Sequence, residues 1–149
     1  MNLTLAQEAL KKYFGYDSFR PMQAEIIEAI FKQKDALVLM PTGGGKSLTY
    51  QLASLFQPGI SLVVDPIKSL MHDQVEGLHD NYIDSCTYLN GSVKGAKREE
   101  TMDQIANGYR QFVFISPERL QIESFRKLLF NLADQQIYFS YAVIDEAHC

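Results

Sequence analysis

Hydrophobic residues occur along this chain in two alternating patterns, short apolar runs and longer stretches with an apolar residue at every third or fourth position. The short runs predict strands at residues 35–40, 60–64, 86–89, 112–115 and 141–144. The longer stretches predict helices at residues 4–15, 21–30, 46–56, 70–78, 94–106 and 125–132. Alternating strands and helices are typical of a parallel sheet covered by helices on both faces, so we expect a doubly wound α/β fold.

Local signals predict where several helices begin and end. Thr4 with Gln7 three residues later forms a capping box for the first helix, which Gly15 would end. Pro21 suits the first turn of the second helix, and Gly108 would end the helix over residues 94–106.

Residues 40–47 read Met-Pro-Thr-Gly-Gly-Gly-Lys-Ser and lie between a predicted strand and a predicted helix. Glycines let the backbone approach closely, so Thr42, Gly43, Gly44 and Gly45 are candidates to surround the phosphates of a nucleotide. Lys46 would add a cation, and the Ser47 hydroxyl would bind Mg²⁺. The strict pattern has glycine where this chain has Met40. The alternative is an ordinary glycine-rich loop beside a solvated lysine.

A pair of acids follows the last predicted strand. We expect Asp145 to hold Mg²⁺ and Glu146 to orient and deprotonate the attacking water. His148 lies in the same four-residue segment, Asp-Glu-Ala-His at residues 145–148, and is a further candidate for the catalytic site. The alternative is a solvated turn, although two acids at the end of a buried run are costly to desolvate without a cation or a reaction. The glycine-rich loop and the acid pair together predict a nucleoside triphosphatase site, in which they face each other.

Composition limits the other possibilities. The 149 residues suit a single domain, and their formal charge of −4 argues against a domain that holds nucleic acid by bulk charge. Basic residues do cluster locally, in two groups that either follow a phosphate backbone or form solvated helix faces: Lys94, Lys97 and Arg98, and then Arg119, Arg126 and Lys127. No run is long enough for a membrane span, and two distant cysteines favour a reducing compartment, so we expect a cytoplasmic protein, nucleoid-associated or nuclear.

Five segments, in this order, resemble the motifs of RecQ-type DNA helicases of superfamily 2. They are the adenine-recognition segment, the phosphate loop with its methionine, motif Ia, motif Ib and the Asp-Glu-Ala-His-Cys form of motif II, at residues 14–23, 40–47, 63–75, 116–120 and 145–149. The resemblance covers nearly the whole chain. It implies a RecA-like, three-layer P-loop fold, with residues 1–149 forming the first motor domain up to just after motif II.

The resemblance also implies roles for individual residues. Tyr16, Arg20 and Gln23 would bind adenine and fix the nucleotide, since a carboxamide can both donate to and accept from adenine. By spacing alone, Tyr16 would instead be a core aromatic, like Phe14 and Phe19, and Gln23 a surface residue. Motifs Ia and Ib imply contact with the backbone of one DNA strand through Pro66, Ser69, Pro117, Glu118 and Arg119.

One position departs from the family pattern. Relatives usually have serine where this chain has Asp65, and a carboxylate beside a phosphate backbone would repel it. Asp65 either caps the following helix or alters the contact with DNA.

The resemblance implies further parts that these residues do not contain: a strand after motif II and a second RecA-like domain with an arginine finger. Without that strand the sheet would have a gap at its middle, and the domain would be destabilised. The implied function is an ATP- and Mg²⁺-dependent DNA helicase or translocase, with these residues alone hydrolysing almost no ATP. The alternatives are an RNA helicase or remodeller of the same superfamily, a nucleotide-binding scaffold without turnover, and a small-molecule kinase.

Overall fold

The structure is a computed structural model that describes residues 2–41 and 43–148. The chain divides into two compact units, Met1–Gln57 and Pro58–Cys149. The first unit contains helices, and the second contains a parallel sheet with helices.

The first unit has helices α1 (Leu3–Ala9), α2 (Gln23–Phe31) and α3 (Lys46–Ser54), and α1 continues into a π-helical turn at Leu10–Phe14. Its core consists of small and branched side chains from all three helices: Ala6, Ala9, Leu10, Ile27 and Leu52. The predicted capping box is wrong, because Asn2 is the N-cap of α1 and its side chain accepts a hydrogen bond from the Leu5 N–H at 3.0 Å. Gly15 ends this helical segment with φ +73°, as predicted.

The strand predicted at residues 35–40 is wrong. This stretch has no regular secondary structure, and Leu37 and Leu39 are 85% and 78% exposed. A strand exists only through hydrogen bonds to a neighbouring strand, and the described sheet contains four other strands and not this one. The apolar residues at 35–40 are therefore of a type suited to a buried strand, but the described sheet offers no neighbouring strand to pair with them.

The second unit contains the four strands, which are β1 (Ile60–Val64), β2 (Cys86–Leu89), β3 (Phe112–Ile115) and β4 (Phe139–Ile144). Their order in the sheet is β2-β3-β1-β4, and all three neighbouring pairs are parallel. The connecting helices are α4 (Lys68–Asp80), α5 (Gly95–Ala106) and α6 (Glu123–Asp134), with a 3₁₀ turn at Pro117–Gln121 before α6. The predicted α/β fold with a parallel sheet is confirmed.

Helices lie on both faces of this sheet. On one face, α5 and α6 contribute Ile105, Phe125 and Leu128 to a core that includes Val113 and Ile115 of β3. On the opposite face, the Cys86 thiol of β2 lies 3.8 Å from the Val75 carbonyl oxygen of α4. Gly108 follows α5 with φ +69°, which confirms the predicted end of that helix.

Strand β4 lies at one edge of the sheet and pairs with β1. Its residues are the least buried of the four strands, and Ile144 is 71% exposed. No helix within the described residues is both long and apolar enough to cross a membrane.

Candidate functional site

The phosphate loop of the first unit has a backbone that glycine makes possible. Gly43 and Gly45 have φ values of +77° and +81°, in the left-handed region that other residues adopt at a cost. Gly45 is also the N-cap of α3, so Lys46 and Ser47 occupy the first turn of that helix. A helix N-terminus favours an anion, which suits the phosphate role predicted for this loop. Thr42, a further predicted contact, lies outside the described residues.

Two side chains of the predicted adenine segment bind the phosphate loop. The Gln23 carboxamide accepts a hydrogen bond from the Arg20 N–H at 2.8 Å and donates to the Gly45 carbonyl at 3.0 Å. Arg20 Nη1 donates to the Gly43 carbonyl at 2.7 Å. A Cβ atom at Gly45 would clash with Gln23 Nε2, so the glycine is required for this contact. The structure thus brings Arg20 and Gln23 together with Gly43, Gly44 and Gly45.

The burial of Gln23 and Tyr16 distinguishes between the two positions expected for each of them, in the core or at the surface. Gln23 is 1% exposed, so it is no surface residue. Tyr16 is 49% exposed and lies beside Arg20, whose guanidinium carbon is 6.0 Å from the ring centroid, so Tyr16 is no core aromatic. Phe14 and Phe19, in contrast, pack against the core of the first unit. The exposed Tyr16 ring is thus accessible, and its predicted stacking on adenine stays a prediction.

The acid pair lies at the end of β4 in the second unit. The Asp145 N–H continues the ladder by donating to the Val64 carbonyl at 2.9 Å, and Asp145 Oδ1 accepts the Glu146 N–H at 2.9 Å. Glu146 has φ +48°, a left-handed conformation unfavourable for a residue with a side chain. His148 Nδ1 lies 3.4 Å from Glu146 Oε2, and the Glu146 side chain is 22% exposed. The sharp turn therefore places Glu146 next to the predicted His148.

Asp65 lies at the end of β1, next to this acid pair. It is 1% exposed, and its Oδ1 accepts the Ile67 N–H at 2.8 Å, just before α4 begins. Burial raises the pKa of Asp65, the Ile67 N–H lowers it, and the charges of Asp145 and Glu146 raise it again. Asp65 thus stabilises the turn that leads into α4, which is close to the expected capping role.

The residues predicted to contact a DNA strand lie after β1 and β3, at the carboxyl edge of the sheet. Pro66, Ser69, Pro117 and Glu118 are exposed there. Arg119 is only 7% exposed, and its Nη2 donates to the Asn90 carbonyl at 2.8 Å. Arg119 therefore holds the loop after β2, and its contact with a DNA strand, which the resemblance implies, stays a prediction.

Asn90 is a structural residue of this edge that the motifs did not single out. It follows β2, is 1% exposed, and its Oδ1 accepts the Ser92 N–H at 2.9 Å. Its position directly after a strand, at the same edge as motifs Ia and Ib, was the signal available in the sequence.

Within residues 2–41 and 43–148 there is no group of three or more His, Cys, Asp or Glu side chains arranged to hold a metal. This is compatible with Mg²⁺, which commonly binds through one or two carboxylates together with substrate phosphates and water. Asp145, at the end of β4, has the donor chemistry for such a contact.

A parallel sheet with an Asp-Glu turn at a strand end, and a glycine-rich loop that begins a helix, are features of the class of P-loop nucleotide-binding proteins. The family model "DEAD/DEAH box helicase" matches residues 20–149, and the chain belongs to this family.

Similarity to curated proteins narrows the class further. The chain is 40% identical over 144 residues to an ATP-dependent DNA helicase RecQ of Pasteurella multocida, covering 97% of this chain and 22% of that protein. It is 36% identical over 143 residues to an ATP-dependent DNA helicase RecQ of Synechocystis sp., covering 96% of this chain and 29% of that protein. It is 40% identical over 142 residues to an ATP-dependent DNA helicase Q-like 4B of Arabidopsis thaliana, covering 93% of this chain and 12% of that protein. The resemblance to RecQ-type helicases is confirmed, and the chain spans less than a third of the length of these relatives.

Proposed function

We propose that this chain is the nucleotide-binding part of an ATP-dependent DNA helicase or translocase, the first RecA-like domain of its motor. The observation that carries the proposal is the attachment of Gln23 and Arg20 to the carbonyls of Gly45 and Gly43. This contact joins a candidate base-reading segment to a candidate phosphate loop. The similarity to proteins named as ATP-dependent DNA helicases supports the same conclusion.

The proposed roles follow from the chemistry of each group. Tyr16 stacks on adenine, and Gln23 reads its edge. Residues 42–45 and Lys46 bind the phosphates. Glu146 accepts the proton of the attacking water, and His148 supports the Glu146 carboxylate from 3.4 Å.

Ser47 and Asp145 are the residues we propose to hold Mg²⁺, which when bound offsets the charge of the phosphates. That the phosphate loop and the acid pair meet around one nucleotide stays a prediction.

DNA is the proposed partner, and its strand would follow the edge where Pro66, Ser69, Pro117 and Glu118 are exposed. The polar contacts there would be mainly to phosphate and would carry little sequence information. A second RecA-like domain is proposed to complete the motor and to supply the arginine finger. A DNA substrate implies action at a nucleoid or in a nucleus.

Two substitutions in the intact protein test this function. Glu146→Gln should leave MgATP binding near the parent level and abolish ATP hydrolysis and strand separation, because only the proton acceptor is lost. Lys46→Ala should weaken MgATP binding itself. The measurements are equilibrium binding of a fluorescent ATP analogue and steady-state release of phosphate with and without DNA.

Assays of duplex unwinding and ATP turnover with the unsubstituted intact protein distinguish the proposal from its alternatives. Unwinding of RNA duplexes but not of DNA would favour an RNA helicase, and binding of ATP without turnover would favour a scaffold. A Glu146→Gln protein that cycles at the parent rate would remove Glu146 as the base.

A further inference from the structure

Three exposed tyrosines lie at the amino edge of the sheet, opposite the edge that carries the acid pair. Because β2, β3 and β4 run in the same direction, the turns that lead into them lie at this one edge. One tyrosine precedes each of these strands: Tyr82, Tyr109 and Tyr138, which are 92%, 70% and 68% exposed. Tyrosine is enriched at protein interfaces, so these three residues, which we name the tyrosine edge, are a candidate interaction surface.

The turns that carry these tyrosines contact one another. Arg110 Nη1 donates to the Asp84 carbonyl at 2.7 Å, which joins the turn before β3 to the turn before β2. A Cβ atom at Gly108 would lie 3.4 Å from the Ile137 side chain, so the turn before β3 also meets the turn before β4. The strand order β2-β3-β1-β4 places the first and last of these turns three strand spacings apart, or about 14 Å.

Tyr82 occupies a backbone position that favours glycine. Helices α4, α5 and α6 all end with the same two hydrogen bonds, and the residue after the C-cap has φ +60° at Tyr82, +69° at Gly108 and +60° at Gln136. This left-handed conformation costs free energy for a residue with a side chain, and much less for glycine. The Tyr82 ring does not offset that cost by packing, because Tyr82 is 92% exposed. An unburied ring at a strained position suits contact with a partner.

The charges around the tyrosine edge are mainly negative. The segments that reach the amino edge are residues 58–59, 77–85, 103–111 and 131–138. Their only cation is Arg110, beside the titratable His79, whereas they carry four exposed carboxylates: Asp80, Asp84, Asp103 and Asp134. The net charge of these segments is −3 with His79 neutral. The carboxyl ends of α4, α5 and α6 add the negative ends of three helix dipoles.

We propose that the tyrosine edge binds an extended, arginine-bearing segment of a partner protein. A guanidinium group stacks on a tyrosine ring and pairs with a carboxylate, so the rings and the charges select the same side chain. The negative charge would repel a nucleic-acid strand. A span of about 14 Å suits about four or five extended residues. The inference goes beyond the proposed function, because it involves none of the residues proposed to bind nucleotide or DNA.

The test measures the binding of short fluorescently labelled peptides to the intact protein by fluorescence anisotropy, near physiological ionic strength. The peptides alternate glycine with arginine, with lysine or with glutamate. The parent should bind the arginine peptide more tightly than the lysine peptide, because the planar guanidinium stacks on an aromatic ring. It should not bind the glutamate peptide.

Substitution of two rings tests the aromatic contact. Tyr82→Gly combined with Tyr109→Ser should raise the Kd for the arginine peptide by about twofold to fivefold for each ring lost. The thermal unfolding midpoint should not fall, because glycine fits the left-handed turn and both tyrosines are exposed. Tyr82→Phe combined with Tyr109→Phe keeps both rings and should bind the peptide like the parent.

Substitution of two carboxylates tests the charge. Asp80→Asn combined with Asp84→Asn should also weaken binding of the arginine peptide. The matched control is Glu99→Gln combined with Glu123→Gln, which removes the same charge from exposed positions near the starts of α5 and α6. This control should bind like the parent.

The inference is supported if the Tyr82→Gly/Tyr109→Ser and Asp80→Asn/Asp84→Asn variants both lose affinity while the control keeps it. A Tyr82→Gly/Tyr109→Ser variant that binds as tightly as the parent overturns the inference, since the attraction would come from charge alone. A parent that binds none of the peptides also overturns it. A parent that dimerises in sedimentation equilibrium, while the Tyr82→Gly/Tyr109→Ser variant stays monomeric, would overturn it in favour of a second copy of the chain. None of these failures would affect the proposed function, which depends on ATP hydrolysis.

Discussion

Replacement of Gln23 by alanine is the sharpest test of how base recognition is coupled to the phosphate loop. The carboxamide is 1% exposed and makes two good hydrogen bonds, from the Arg20 N–H at 2.8 Å and to the Gly45 carbonyl at 3.0 Å. A third contact, to the Gly44 carbonyl at 3.5 Å, is at the limit of a hydrogen bond. An amide oxygen has two lone pairs and its nitrogen two hydrogens, so one acceptor site and one weakly used donor remain for adenine.

The expected cost follows from these bonds. Each contributes about 1 kcal/mol net, so Gln23→Ala should remove about 2 kcal/mol of stabilisation shared by the segment around Arg20 and the phosphate loop. If that stabilisation holds the loop ready for phosphate, affinity for MgATP falls by roughly 30-fold, since about 1.4 kcal/mol corresponds to a factor of ten. Any preference for ATP over GTP should disappear as well, because the group that we propose distinguishes adenine from guanine is gone.

Competition titrations of ATP and GTP against a fluorescent ATP analogue measure both effects. Gln23→Glu should also lose affinity for MgATP, because a carboxylate cannot donate a hydrogen bond to the Gly45 carbonyl. Glu25→Ala, at an exposed position of the same helix, is the matched control and should bind like the parent. If Gln23→Ala keeps the affinity and the ATP preference of the parent, the coupling between base recognition and the phosphate loop is refuted.

Two further predictions concern buried titratable groups. Asp65→Ala should lower the free energy of unfolding by about 1 kcal/mol, because it removes the acceptor for the Ile67 N–H. Asp65→Asn keeps that acceptor without the charge, so in urea unfolding at neutral pH it should be at least as stable as the parent. An Asn variant as unstable as the Ala variant would contradict this account. Burial raises the pKa of the Cys86 thiol to about 11, above its value of roughly 8.5 in an unfolded chain. Between these two pH values the unfolded chain loses the thiol proton while the folded chain keeps it, so the contribution of Cys86 to the free energy of unfolding falls as the pH rises. The difference in unfolding free energy between the parent and Cys86→Ala should therefore shift against the parent from about pH 8.5 to about pH 11, and a constant difference would argue against it.

Much of the second unit could be predicted from local pattern. β1, β2 and β3 begin and end at the predicted residues, because each is a short apolar run bounded by turn residues. The end of α5 shortly before Gly108 was equally predictable, since the left-handed conformation of Gly108 favours glycine. The start of α1 was not, because Asn2 and Thr4 are both good N-caps and only the three-dimensional hydrogen bond from the Leu5 N–H distinguishes them.

The candidate site was likewise only partly predictable from the sequence. The sequence by itself determined the candidate residues for binding phosphate, activating water and reading adenine, since these predictions follow from motifs whose chemistry depends on residue type and spacing. Only the tertiary structure decided that Gln23 is buried against Gly45, that Arg119 binds the Asn90 carbonyl after β2, and that residues 35–40 form no strand. The physical reason is that burial and hydrogen-bond partners depend on residues distant along the chain, and a strand in particular requires a neighbour that its own sequence cannot supply.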